Sequence, residues 1–167
     1  ILATDYPNLK GGIASFFIHI RCKYYLKKGL DFEVLNFKTK EDYEIDNIKV
    51  ISLNTFKKIK NKNYDLLILH APNLRNHYFF LKKYGKYFKK YLFFFHGHEV
   101  LKLNKDYPKP YSYTKKRYSV LQNLYDWFKL KVWHYFFIKN NEKSSYIFVS
   151  NWIKEMFFIR RVKVNGR

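Results

Sequence analysis

The chain has 167 residues, of which 47% are hydrophobic, and a formal net charge of +20. That length fits one domain with a real core, and that hydrophobic share excludes a disordered chain despite the charge. No apolar run approaches the roughly 20 residues that cross a bilayer, and the single cysteine, Cys22, excludes an intramolecular disulfide and a multi-cysteine metal site.

A reducing cytoplasm fits that cysteine usage, and the residues present show no signal-peptide pattern. The chain opens on Ile1-Leu2-Ala3 without methionine, as though cut inside a first strand, and closes just after a helical stretch. It therefore reads as part of a longer protein.

Residues 1–4 predict the remnant of that first strand. They lead into Asp5-Tyr6-Pro7-Asn8-Leu9-Lys10-Gly11-Gly12-Ile13. Here Pro and Asn make a turn, and the paired glycines open backbone conformations closed to other residues. A helix is expected over residues 13–28, because Ile13, Phe16, Phe17, Ile20, Tyr24 and Leu26 largely follow helical spacing. Gly29 is a natural stop. Strand, Gly11-Gly12 and helix start together make a candidate phosphate site, since unpartnered N–H groups and the helix dipole favour an anion there. It is neither a Walker loop nor the spaced three-glycine dinucleotide fingerprint.

Residues 32–37 predict a second strand, 38–47 a charged loop, and 50–53 a short third strand. Asn54 is placed to cap a helix reaching residue 62, with Lys57, Lys58, Lys60 and Lys62 on a solvated face. Two apolar runs follow, 66–69 and 91–95, and each ends in a histidine: His70 and His96. Residues 73–84 between them are long enough for about three helical turns. Strand, helix and strand make a right-handed parallel crossover. Strands without alternation are buried on both faces, so helices are expected on both sides of the sheet. Ligands of such sheets sit beyond the carboxyl ends of the strands, where both histidines fall.

After His96-Gly97-His98-Glu99 the chain is irregular, and Pro108 and Pro110 forbid a continuous helix. A long helix is expected over 113–139, with Tyr118, Leu121, Tyr125, Phe128, Val132, Tyr135 and Phe136 on its buried stripe. Residues 145–149 predict another buried strand. Ser150-Asn151 then starts a final helix through residue 159, either residue being a good N-cap. About six strands alternating with helices give an α/β class with a doubly wound, mostly parallel Rossmann-like sheet. One domain spans 1–167, without repeat or low-complexity linker. Tyr6, Pro7 and Gly11 fall on the first crossover loop, His70 on the fourth, His96 on the fifth and Ser150 on the sixth, all at one sheet edge.

Read together, these loops resemble the amino-terminal, acceptor-side half of a family 4 glycosyltransferase of the GT-B architecture. The residues that carry the resemblance are Tyr6-Pro7 before Gly11-Gly12-Ile13, and Tyr64-Asp65-Leu66-Leu67-Ile68-Leu69-His70. Phe95-His96-Gly97-His98-Glu99 and Phe148-Val149-Ser150-Asn151-Trp152-Ile153-Lys154 continue the series. The resemblance implies a nucleotide-sugar donor held between two Rossmann-like halves, and a glycan or glycolipid acceptor presented by this one. Transfer would retain anomeric configuration and need no cofactor or bound metal. It further implies a catalytic role for His96 near the donor sugar, and substrate-binding roles for Gly11, Gly12, His70, Glu99 and Ser150. The carboxyl-terminal donor-binding half is absent from these residues, so the chain is expected to fold but not to transfer sugar alone. A bacterial surface polysaccharide or glycolipid is the product that this family and an A/T-rich composition suggest.

Three bland readings stand beside this one. His19 and His134, within aromatic helices, are expected to be satisfied structural residues, and His96 with His98 lacks a third metal ligand. Codon bias in an A/T-rich genome raises Lys, Asn, Tyr, Phe and Ile whatever the function. An inactive gene fragment would keep all these motifs. The charge also admits an anionic inner membrane leaflet. It admits a nucleic-acid surface too, although helix-core spacing of the aromatics favours burial and no RNA-binding sheet motif is present. A sugar-nucleotide epimerase of the same GT-B build would likewise need the missing half.

Overall fold

The computed structural model describes residues 1–107 and 120–162, with side chains as far as 160. Its strands are β1 (Leu2–Ala3), β2 (Val34–Asn36), β3 (Tyr43–Ile45), β4 (Ile48–Ser52), β5 (Tyr64–His70), β6 (Phe88–Phe95) and β7 (Ser144–Phe148). The helices are α1 (Phe16–Lys27), α2 (Leu53–Lys58), α3 (Phe79–Tyr84), α4 (Leu103–Asp106), α5 (Val120–Lys139) and α6 (Asn151–Val162). All strands join one seven-stranded sheet, in the order β3-β4-β2-β1-β5-β6-β7. Only β3 is antiparallel to its neighbour. The parallel strands follow a doubly wound, Rossmann-like order that reverses between β1 and β5.

Alternate residues of each strand face opposite sides, and the core divides accordingly. Leu2, Leu35, Ile51, Leu67, Leu69, Tyr91, Phe93 and Phe95 pack with Phe56 of α2, Phe80 of α3, Trp133 and Phe137 of α5, and Phe157 of α6. Ala3, Val34 and Val50 on the opposite face pack with Ile18 and Cys22 of α1. Helix cover on that second face stops short. Leu66 and Ile147, on β5 and β7, remain 44% and 40% exposed, so the expectation of helices over both faces holds fully on one side only.

The charged stretch 38–47 is not all loop. It contains β3, which folds back on β4 with Ile45 opposite Ile48. The connecting Asp46 and Asn47 both have positive φ, 50° and 59°. A two-residue hairpin loop with that geometry is type I′, a turn matched to the strand twist. Asp46 also accepts from Lys23 Nζ at 2.8 Å and lies 3.1 Å from His19 Nε2, fastening the turn to α1. His19 Nδ1 is 2.9 Å from Tyr6 Oη, so its ring is satisfied at both nitrogens.

Other boundaries shift for local reasons. Ser52, not Asn54, caps α2, its Oγ accepting from Thr55 N at 3.1 Å. Residues 73–84 begin as a π-turn over Leu74–Tyr78 capped by Asn73, and only then become α3. The helical stripes also turn out differently. Ile13, Phe16, Ile20 and Tyr24 are exposed, as are Leu121, Tyr125, Phe128 and Tyr135. Both sequences carry apolar residues around the whole helix, so spacing selects no unique inward face; Asp126, Lys129, Trp133 and Phe137 are what α5 buries. Tyr118, Pro108, Pro110 and the expected helix start at 113 lie outside the described residues.

The Asp46–Asn47 turn makes a prediction. Asn47→Gly should stabilise the fold by about 0.5–1 kcal/mol, because glycine occupies positive φ without a Cβ conflict. Asn47→Val should cost about 1–2 kcal/mol. Urea unfolding midpoints of the two variants would move in opposite directions; equal midpoints would mean that the turn does not hold this geometry.

Candidate functional site

The carboxyl edge of the sheet is assembled from two turns and a helix. At the end of β5 the chain bends through Ala71, whose φ is 46°. Its N–H donates to the Phe94 carbonyl at 3.1 Å, which holds the bend against β6. Asn73 follows, and its Nδ2 donates to Thr4 Oγ1 at 2.7 Å, joining this turn to the end of β1.

At the end of β6, the segment His96-Gly97-His98-Glu99 folds back on itself. Gly97 has φ 137°, and a Cβ there would meet Tyr107 Oη at 3.1 Å. Glu99 is 4% exposed. Its Oε2 accepts from the N–H groups of His96 and Gly97 at 3.0 and 2.7 Å. Burial pushes the Glu99 carboxyl up, with the N–H groups of its own loop pulling the other way. Its first task is thus to staple the loop.

Helix α5 supplies the second fastening. The Lys129 ammonium donates to the carbonyls of His98 and Leu101 at 2.6 and 2.9 Å, and to Asp126 Oδ1 at 2.9 Å. All its donors are matched. Asp126 Oδ2 in turn accepts from Leu103 N at 2.7 Å. Tyr107 stacks on His98 with ring centroids 5.2 Å apart.

Between these turns lies a cavity of about 410 Å³, walled by Ala71, Pro72 and Asn73 on one side and His96, His98 and Glu99 on another. Tyr125, Asp126 and Lys129 close the third wall. Its size falls within the ordinary range of small-molecule sites. His96 is half-buried, packs on Phe17 at 4.6 Å, and has no hydrogen-bond partner for Nε2 among the described residues. Burial, then the Arg21 charge, lowers its pKa. The imidazole is therefore neutral at physiological pH.

His70 lies beneath His96, with ring centroids 6.1 Å apart. It is buried, stacked on Phe94 at 4.4 Å, and does not line the cavity. Arg21 Nη1 stands 3.3 Å from His70 Nδ1. A guanidinium only donates, so Nδ1 is the acceptor and the ring proton sits on Nε2. Burial, then Arg21 and His96, drives the His70 pKa down to about 3.

Gly11 and Gly12 sit elsewhere than at a helix start. They close a tight loop on Asn8, whose Oδ1 accepts from Gly12 N at 3.3 Å and whose carbonyl accepts from Gly11 N at 3.2 Å. The helix begins only at Phe16, after Ser15 in a left-handed conformation. The expected junction of glycine pair and helix N-terminus is therefore absent from this conformation, because Asn8 engages both amides. Ser150, at the end of β7, is exposed and caps α6, accepting from Ile153 N at 3.2 Å.

The structure thus brings His96 and Glu99 into one cavity and leaves Gly11, Gly12, His70 and Ser150 outside its walls. Sequence reasoning missed Arg21, Phe17, Tyr107, Asp126 and Lys129. One signal was readable: Asp126 is the only acid in α5, with a lysine three residues on. Among the described residues no cluster of three or more His, Cys, Asp or Glu is placed to hold a metal ion. No protein-family model, no curated protein and no solved structure matches the chain.

The buried histidines predict acid sensitivity. Burial also lowers His77 to about 4. Both His70 and His77 are neutral when folded, whereas an unfolded histidine titrates near 6.5. Below that pH the unfolded chain binds more protons, so stability is complete above about 6.5 and is lost as pH falls toward the folded values. Between about pH 7 and pH 5 each histidine should remove about 2 kcal/mol, read as a falling urea midpoint. His77→Phe, which keeps the packing on Phe37, should remove about half of that slope. A midpoint independent of pH over this interval would show that both rings are solvated.

Proposed function

We propose that the chain is the acceptor-side half of a retaining glycosyltransferase. The enzyme would move a sugar from a nucleotide-sugar donor to a polysaccharide or lipid-linked glycan in bacterial surface-glycan synthesis. One observation supports this reading above others. The His96-Gly97-His98-Glu99 loop opens onto a cavity at the carboxyl edge, beside the reversal of strand order, and this is the loop on which the resemblance puts the catalytic histidine. The neutral His96 offers a hydrogen-bonding nitrogen to a sugar hydroxyl or a donor phosphate oxygen. The half would act by holding an acceptor hydroxyl in line with the anomeric carbon, while hydrogen-bond donors stabilise the leaving diphosphate. No metal or cofactor is called for. The basic residues for the diphosphate would come from the second half.

The enzyme would work in the cytoplasm, at the inner face of the membrane where lipid-linked acceptors reside. No described helix is long and apolar enough to cross a bilayer. Phe16, Ile20 and Tyr24 stand exposed on α1 beside Lys23, Lys27 and Lys28, which suits an interfacial contact with anionic lipid. A second reading draws on the same kind of surface. Trp127, Phe128 and Tyr135 of α5 are at least half exposed, and Lys131 Nζ lies 4.5 Å from the Trp127 ring centre. Exposed aromatics beside lysines also suit stacking on single-stranded nucleic acid.

Three experiments test these readings. DNA sequence flanking the frame should encode a second Rossmann-like half with a basic pair and a Glu-rich motif. In a polypeptide carrying both halves, His96→Ala should lower kcat for sugar transfer into membrane acceptors by about 10²-fold or more. An unchanged kcat removes His96 from the mechanism. Co-sedimentation with vesicles should rise with anionic lipid content and fall with salt. Binding indifferent to both, together with salt-sensitive retention on oligonucleotides, would favour the nucleic-acid reading.

A further inference from the structure

A second cleft lies between α4, α5 and α6, on the far side of Glu99 from the cavity just described. Its volume is about 310 Å³, at the lower end of the range for small-molecule sites. Among the described residues its inner wall is apolar and aromatic, with Trp133, Phe137, Met156 and Phe157. Its rim is cationic, with Lys102, Lys105 and Lys131.

The charges around this cleft are unevenly matched. Asp106 is paired with the Arg160 guanidinium, which also donates to the Val100 carbonyl. Glu99 is held by the amides of its own loop. Both acids of the lining are thus engaged. Lys102, Lys105 and Lys131 make no ion pair among the described residues. Trp133 is 2% exposed and presents its ring to the cleft. An apolar wall bordered by rim cations without ion-pair partners calls for one kind of molecule.

We propose that this cleft binds a single-chain amphiphile with an anionic head, its alkyl chain along Trp133, Phe137 and Phe157 and its head among the rim lysines. A bare anion would leave the aromatic wall without a partner. An uncharged hydrocarbon would leave the lysines unmatched. Two sources carry this chemistry, the phosphate of a lipid and the carboxylate of a fatty acid. The site stands whether or not the chain belongs to a glycosyltransferase.

The test uses the full chain, titrated below micelle-forming concentration with octyl phosphate, decyl phosphate, octanoate, decanoate, decanol and inorganic phosphate. Tryptophan fluorescence and calorimetry read the binding. Decyl phosphate or decanoate should saturate at one site. Each methylene added from octyl to decyl should tighten binding about fourfold. Decanol should bind at least about tenfold more weakly than the better anion. Reversing two exposed rim charges, in Lys105→Glu with Lys131→Glu, should weaken the anions by at least about tenfold and leave decanol unchanged. Tighter binding of the phosphate assigns a phospholipid source, and tighter binding of the carboxylate a fatty acid; either supports the site. Equal affinity for decanol and decyl phosphate overturns it. So does inorganic phosphate binding as tightly as decyl phosphate, an absence of chain-length dependence, or a charge reversal without effect.

Discussion

The buried ammonium of Lys129 fixes the carboxyl edge. It sits on α5 with 7% of its surface exposed and Asp126 with 1%. A charge taken out of water persists only where its donors or acceptors are met. Here the pair is met on every side: Lys129 reaches two carbonyls of the turn after β6, and Asp126 also accepts from Leu103 N. The helix and the loop are therefore one unit. Loss of one partner would leave the other charge buried, at a cost of about 3–5 kcal/mol. An apolar replacement of both could keep the stability but would lose the two ties that shape the turn.

That unit rests on an aromatic core with β6 at its centre. Phe93 and Phe95 lie 6.1 Å apart and nearly parallel, with Phe137 edge-on to each. Trp133, Tyr146 and Phe157 extend the cluster toward α5, β7 and α6. Phe94 faces the other way, where His70 and Arg21 of α1 cover it. The strand therefore carries its apolar load on one face and a cation with two histidines on the other. The same asymmetry keeps both histidines neutral, since Arg21 adds its charge to the desolvation that burial imposes.

Much of this frame was legible in the sequence. Two short apolar runs, each stopped by a histidine, marked β5, β6 and their shared edge. The β3 hairpin was hidden because Asp46-Asn47 lacks glycine and the strand's side chains are only partly buried. The inward faces of α1 and α5 were hidden because aromatics surround both helices, so only tertiary contacts choose among them. Asn8 decided the state of Gly11 and Gly12, and a side chain that accepts from the amides two and four residues on is a local signal that the glycine pair obscured. Arg21 could not be read at all. Its role depends on a reach across the sheet to His70, 49 residues away in the chain.

The chemistry of the edge follows from how its groups are engaged. Glu99 holds two loop amides on one carboxylate oxygen, and Lys129 would have to release two carbonyls before it could meet a phosphate. Both are therefore structural in the resting edge. His96 is left, neutral and with one buried nitrogen unmatched, and it is suited to orient a substrate rather than to carry charge. Its neutrality is set by burial first and then by Arg21, which is itself directed at His70 and Phe94 rather than at the cavity. A diphosphate leaving group needs positive charge that moves with it or meets it, and among the described residues of these walls the one lysine, Lys129, is fully engaged. Under the transferase reading that charge belongs to the opposite half of the cleft. The hydrogen bonds of this edge point the same way: its one buried lysine is committed to holding the loop rigid.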